Sequence, residues 1–222
     1  MLERKMTSTS LSSPTSSNAN TVKVLGVKWD TVNDEIFFNF SDLYKYGKSL
    51  PVNKRSVIKL SSKIFDPLGF PSPFVIRLKI LFQVLCREKL DWDQSLREEM
   101  NKTWNLIFEE LKPLGYGRIS RCYFVPGFSK VDVQLHRFSD ASERAYAAVV
   151  YIRVVFSDGR IKTKFVTSKT RVSPIKKQTI PHLELLGALI LSRLTTTVLK
   201  ALLKQAIWIN FWVDSRTVLC WI

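Results

Sequence analysis

From Ala145 to Phe156 the chain is almost continuously apolar, and Ser157-Asp158-Gly159 then turns it into a second run, Ile161 to Thr167. Runs of this length, closed by an Asp-Gly turn, predict a hairpin of largely buried strands. Just upstream, Val131, Val133 and Leu135 alternate with Asp132, Gln134 and His136, the pattern of a strand with one wet face. Downstream, Ile180-Pro181 opens an apolar helix reaching about Leu203. Ala206 to Val213 then forms another apolar strand, followed by Asp214 and an incipient helix. The order β-β-β-α-β-α predicts an α/β unit over 118–222, a mixed sheet covered by helices.

The preceding residues divide differently. Met1 to Thr21 is a Ser/Thr-rich tract, expected to be a disordered leader because it buries too little apolar surface to offset chain entropy. Over 22–49, a strand Val22–Trp29 and a strand Glu35–Phe40 flank an Asn33-Asp34 turn and predict a β-hairpin. Residues 50–117 read as helical. Val57, Leu60, Ile64 and Phe65 recur at helical spacing, and Asp66-Pro67-Leu68-Gly69 is a turn. Phe74 to Leu90 is a second helix. Asp91 or Asp93 can cap a third, in which Leu96, Met100, Trp104, Ile107, Phe108 and Leu111 form a stripe. A small helical segment with no chemistry of its own is the expectation.

Thirty-four Lys and Arg against 19 Asp and Glu leave a net charge of +15. Such an excess suits a polyanionic partner, nucleic acid foremost, with membrane surfaces and acidic proteins as competitors. Cys86, Cys122 and Cys220 are odd in number and far apart, which excludes a disulfide framework and a zinc ribbon. No uninterrupted apolar run approaches a membrane span, and no apolar signal core follows Met1. The expected setting is therefore intracellular, cytoplasmic or nuclear, without membrane or secretion.

Three acids stand out. Glu184 lies in a helix flanked by Leu183, Leu185, Leu186, Ala188, Leu189, Ile190 and Leu191, where an ionised carboxylate is costly unless something satisfies it. Asp214 follows the apolar strand, and Asp140 ends the first strand of the unit. Each has a plain structural explanation: a helix-dipole partner for Glu184, a helix cap for Asp214, a turn residue for Asp140. Taken together, three carboxylates at strand ends and a helix start suit hard cations such as Mg2+ or Mn2+.

Further motifs carry a family resemblance. They are Phe138-Ser139-Asp140-Ala141-Ser142, Lys169-Thr170-Arg171-Val172-Ser173-Pro174, Thr179-Ile180-Pro181-His182-Leu183-Glu184-Leu185-Leu186 and Val213-Asp214-Ser215. In this order they resemble the ribonuclease H-like region of BEL/Pao retrotransposon Pol polyproteins. Leu25-Gly26-Val27-Lys28-Trp29 resembles the end of the reverse-transcriptase palm, and Ile64-Phe65-Asp66-Pro67-Leu68-Gly69-Phe70 the segment linking polymerase to nuclease. The resemblance implies a ribonuclease H-like α/β fold, C-terminally truncated. It implies Asp140, Glu184 and Asp214 as catalytic metal ligands for two Mg2+ or Mn2+ ions. It also implies hydrolysis of RNA in an RNA–DNA hybrid, and the remainder of the Pol polyprotein as a partner.

Lys169, Arg171, Lys176 and Lys177 are the candidate phosphate contacts, with a solvated basic loop as the plain alternative; His136 and His182 read as structural. The family's fourth metal-site acid would lie beyond Ile222, so this chain by itself is expected to be inactive. The alternative is a non-catalytic nucleic-acid-binding or interaction remnant. The family is also called a peptidase, but the chain has no Asp-Thr-Gly or Asp-Ser-Gly, and Asp214-Ser215 is followed by Arg216.

Overall fold

The computed structural model describes residues 21–24, 27–112, 115–124, 127, 129–202 and 208–221. The expected leader lies outside these residues except for Thr21.

The first strands pair locally. β1 (Thr21–Val24) runs antiparallel to β2 (Val27–Asp30), and β2 to β3 (Glu35–Asn39). The single strand expected over Val22–Trp29 is thus two strands, Val24 pairing with Val27. Residues 40–48 are not part of a hairpin but form helix α1 (Phe40–Lys48), capped by Asn39, whose side chain accepts from the Asp42 amide. α2 (Lys54–Lys63) is capped in the same way by Asn53. α3 (Ser72–Arg87) and α4 (Glu98–Leu111) follow.

Leu96, Met100, Trp104, Ile107, Phe108 and Leu111 are all buried, packed with Val57, Leu60, Leu78 and Leu85 in one core. Neither Asp91 nor Asp93 caps α4, whose cap position is Arg97. Asp93 instead accepts two hydrogen bonds from Arg55, at 2.7 and 2.8 Å. β4 (Tyr116–Ser120) then pairs antiparallel with β3 and completes a β1-β2-β3-β4 sheet. The boundary expected at 118 therefore falls inside a strand of the first sheet.

The second sheet has the order β7-β6-β5-β8. β5 (Lys130–Ala141), β6 (Ala145–Phe156) and β7 (Ile161–Val172) form an antiparallel meander, and β8 (Trp208–Trp212) lies parallel to β5. Along β6, buried residues alternate strictly with partly exposed ones. Its apolar run is thus a strand covered by a helix on one face, because successive side chains point to opposite sides. The cover is α5 (Ile180–Leu202). Leu183, Gly187, Ile190, Leu191, Thr195 and Val198 form its buried stripe, against Val133, Leu135, Val150, Ile152 and Val154.

Although α5 is apolar nearly all round, its outer face is open and Leu189 is exposed. Its length and composition alone would allow a membrane crossing; its stripe packs on the sheet. α6 (Arg216–Trp221) closes the described chain.

The two units meet at the Asp66–Gly69 turn. The Ser168 amide and the Thr167 hydroxyl both donate to Leu68 O at 2.8 Å, and Ser168 Oγ donates to Gly69 O at 2.6 Å. Gly69 has φ +85°, and a Cβ there would lie 2.1 Å from Ser168 O. Both the backbone conformation and the close approach require glycine.

A three-carboxylate candidate metal centre

The topology brings three distant residues to one end of the second sheet. β5 and β8 are parallel, with Phe138 opposite Trp212, so both strands finish at the same edge. Asp140 stands near the end of β5, and Asp214 follows β8 by two residues. α5 crosses that edge and presents Glu184 from its buried stripe. One carboxylate oxygen from each of Asp140, Glu184 and Asp214 lies within 4.8 Å of the others. Asp140 and Asp214 are exposed, whereas Glu184 is only 8% exposed.

The plain structural roles fall to neighbouring residues. At the β5–β6 turn, Ser142 Oγ accepts from the Ala145 amide at 3.2 Å and the Ser142 amide donates to Ala145 O at 2.8 Å. Ser142 therefore makes the turn, and Asp140 accepts from the amide of Ala141 alone among the described residues. At α6, Ser215 Oγ accepts from the Val218 amide at 3.4 Å, so Ser215 is the cap and not Asp214. Glu184 is the fifth residue of α5, beyond the first turn, where the helix dipole has largely decayed. Neither serine was singled out from the sequence, although Ser and Asp compete for these positions at every turn and cap.

The electrostatics of Glu184 follow from this placement. Its Oε2 is buried and has no hydrogen-bond partner among the described residues. Burial raises its pKa above the usual carboxylate range, and the charges of Asp214 and Asp140 push in the same direction. A buried carboxylate with an orphaned oxygen, facing two further carboxylates, has the donor chemistry of a hard divalent cation site. Ser139 Oγ, on the adjacent residue of β5, is likewise buried and unpartnered among the described residues.

The basic candidates lie at the same end. Lys169 and Arg171 are exposed on β7, opposite Ala148 and Tyr146 of β6, and share a face. Lys176 and Lys177 are exposed between β7 and α5. The acids paired with Lys or Arg sit mostly in the first unit. From Cys122 onward the chain has 15 Lys and Arg against 6 Asp and Glu. Among the described residues there, Arg160 with Asp158 is the one ion pair.

His136 is not in the acidic cluster. Its Nδ1 accepts from Trp212 Nε1 at 3.1 Å, and the rings stack at 6.0 Å, tying β5 to β8. His182 is exposed on the first turn of α5.

An antiparallel three-stranded meander, a parallel fourth strand beside its first, a covering helix and acids at that edge define a ribonuclease H-like α/β fold. Residues 53–215 match the model of the Pao retrotransposon-like RNaseH-like domain. The chain belongs to that family. Among solved structures it is similar to a foamy viral protease-reverse transcriptase in complex with double-stranded DNA, at 15% identity and a TM-score of 0.48. That match covers 91% of this chain and 32% of the other. No curated protein matches the sequence.

Proposed function

We propose that this chain is part of a retrotransposon Pol polyprotein and that its second unit hydrolyses the RNA strand of RNA–DNA hybrids with divalent cations. The observation that carries the reading is the convergence of Asp140, Glu184 and Asp214 within 4.8 Å around an unpartnered, buried Glu184 oxygen. These three carboxylates would hold Mg2+ or Mn2+. Bound there, such cations supply an activated water and neutralise charge developing on a phosphodiester.

The chain's own residues do the positioning. α5 holds Glu184 within its buried stripe, between Leu183 and Gly187. Asp140 and Asp214 lie at the rim, exposed to a substrate arriving from solvent. Lys169, Arg171, Lys176 and Lys177 are proposed to contact backbone phosphates, which set register without reading sequence. The positive surplus of the second unit also favours a second reading, a nucleic-acid binder without chemistry.

Cleavage of an end-labelled RNA–DNA hybrid with Mn2+ or Mg2+ separates the two. Against the expectation of an inactive chain, three carboxylates already lie within 4.8 Å of one another, so the proposal expects cleavage by this chain that Asp140→Asn abolishes. A folded chain that binds the hybrid and leaves it intact would overturn it in favour of the binder.

A further inference from the structure

Between the helical unit and the second sheet lies an open groove of about 340 Å³. It is lined from three separate parts of the chain. Arg87 and Gln83 come from the last two turns of α3, Glu143 and Arg144 from the β5–β6 turn, and Lys177 from the segment before α5. Gln83 Nε2 donates to Ser173 O at 2.7 Å and fixes the two walls relative to each other. Arg87, Arg144 and Lys177 have no carboxylate partner among the described residues. Even with Glu143 ionised, three cations against one anion leave the groove positive.

Its place in the fold is specific. Arg144 follows Asp140 in the turn that closes β5 onto β6, and Ser173 follows the last residue of β7, where Val172 pairs with Ala145. The groove and the acids thus share one sheet edge, about two inter-strand spacings apart, or roughly 10 Å. At about 3.4 Å of rise per nucleotide, that is roughly three nucleotides along a strand.

We infer that this groove is a phosphate-backbone site, in which Arg87, Arg144 and Lys177 hold a nucleic-acid strand about three nucleotides from the acids. The inference rests on the nucleic-acid reading above and adds to it that α3 of the helical unit is part of the substrate surface. Unpaired cations on a helix end, a strand-to-strand turn and a connecting segment, spaced around an open polar trough, match a strand of phosphates.

The test is hybrid binding by fluorescence anisotropy in EDTA, where no turnover occurs, across a salt series. Arg87→Gln/Arg144→Gln/Lys177→Gln is compared with a control carrying the same charge change on the exposed Lys45, Lys59 and Lys102. Each lost phosphate contact should flatten the log K against log salt slope by roughly 0.7–0.9, about 2–3 for the triple variant. Affinity near 0.1 M salt should fall about tenfold or more, and the control should change far less. Glu143→Gln, which leaves every cation in place, should tighten binding.

Equal losses in both triples, or no loss in the groove variant, would overturn the inference. Cleavage by the parent chain is read separately. A chain that cleaves but whose groove variant binds normally sinks only the groove; one that binds through the groove but never cleaves sinks only the hydrolase.

Discussion

Replacing Glu184 by Gln separates the cost of assembling the acidic cluster from its use. The wild-type carboxylate lies no more than 4.8 Å from each of two others. At that separation each like-charge pair costs about 0.9 kcal/mol in the dielectric of water and about 3.5 kcal/mol at an effective value near 20. Asp140 and Asp214 face solvent, so the lower figure applies, and two pairs give roughly 2 kcal/mol. The glutamine amide keeps the shape but still needs partners. The expected net gain for the metal-free variant at neutral pH is therefore about 1–2 kcal/mol, or roughly 3–6 °C in Tm.

The pH dependence has a definite sign. Glu184 binds its proton more tightly folded than unfolded, so the folded state carries more protons between the two pKa values. Stability must then fall as pH rises from the ordinary glutamate range through the raised folded value, and level off above it. Thermal unfolding in EDTA from pH 4 to 8 should show this decline in the parent and a weaker one in Glu184→Gln. A variant no more stable than the parent at pH 7, with an unchanged pH profile, would refute the idea that the cluster is electrostatically strained.

Two glycines in helices should respond oppositely to alanine. Gly187→Ala places its Cβ at 3.5 Å or more from Asp140 O, Ala147 O and Ser139 Cβ. It should gain up to about 1 kcal/mol in chemical denaturation. Gly47→Ala places its Cβ 2.0 Å from Cε1 of the fully buried Phe108 and should lose roughly 1–3 kcal/mol. Gly69→Ala should cost roughly 1–2 kcal/mol from its positive φ alone. Because its Cβ strikes Ser168 O, hydrogen exchange should also speed up at the Ser168 amide, which donates to Leu68 O.

What could be read from the sequence was what local periodicity encodes. The stripe from Leu96 to Leu111 is buried residue for residue, although Leu96 precedes α4 and does not lie on it. Glu184 was conspicuous because a charge inside an apolar helix has few inexpensive explanations. Asp140 and Asp214 were visible as acids at strand ends, but their meeting depends on the parallel β5–β8 pairing, which links segments some seventy residues apart. β4 was missed for the same reason: its partner β3 lies far back in the chain. α1 does carry a local signal, Asn39 followed three residues on by Asp42. Pairing of Arg55 with Asp93 across the helical unit removed a cap that the sequence alone made plausible. Arg87 and Arg144 belong to different units, and nothing in their sequence neighbourhoods joins them.

The most direct measurement needs neither substrate nor turnover: titration of Mn2+ into the chain, following the free-ion EPR signal. The account predicts saturable binding in the parent that is lost in Asp140→Asn, in Glu184→Gln and in Asp214→Asn, with all three variants still folded by circular dichroism. Binding that survives in all three variants, or a folded parent that takes up no Mn2+, would contradict the claim that these carboxylates form one cation site.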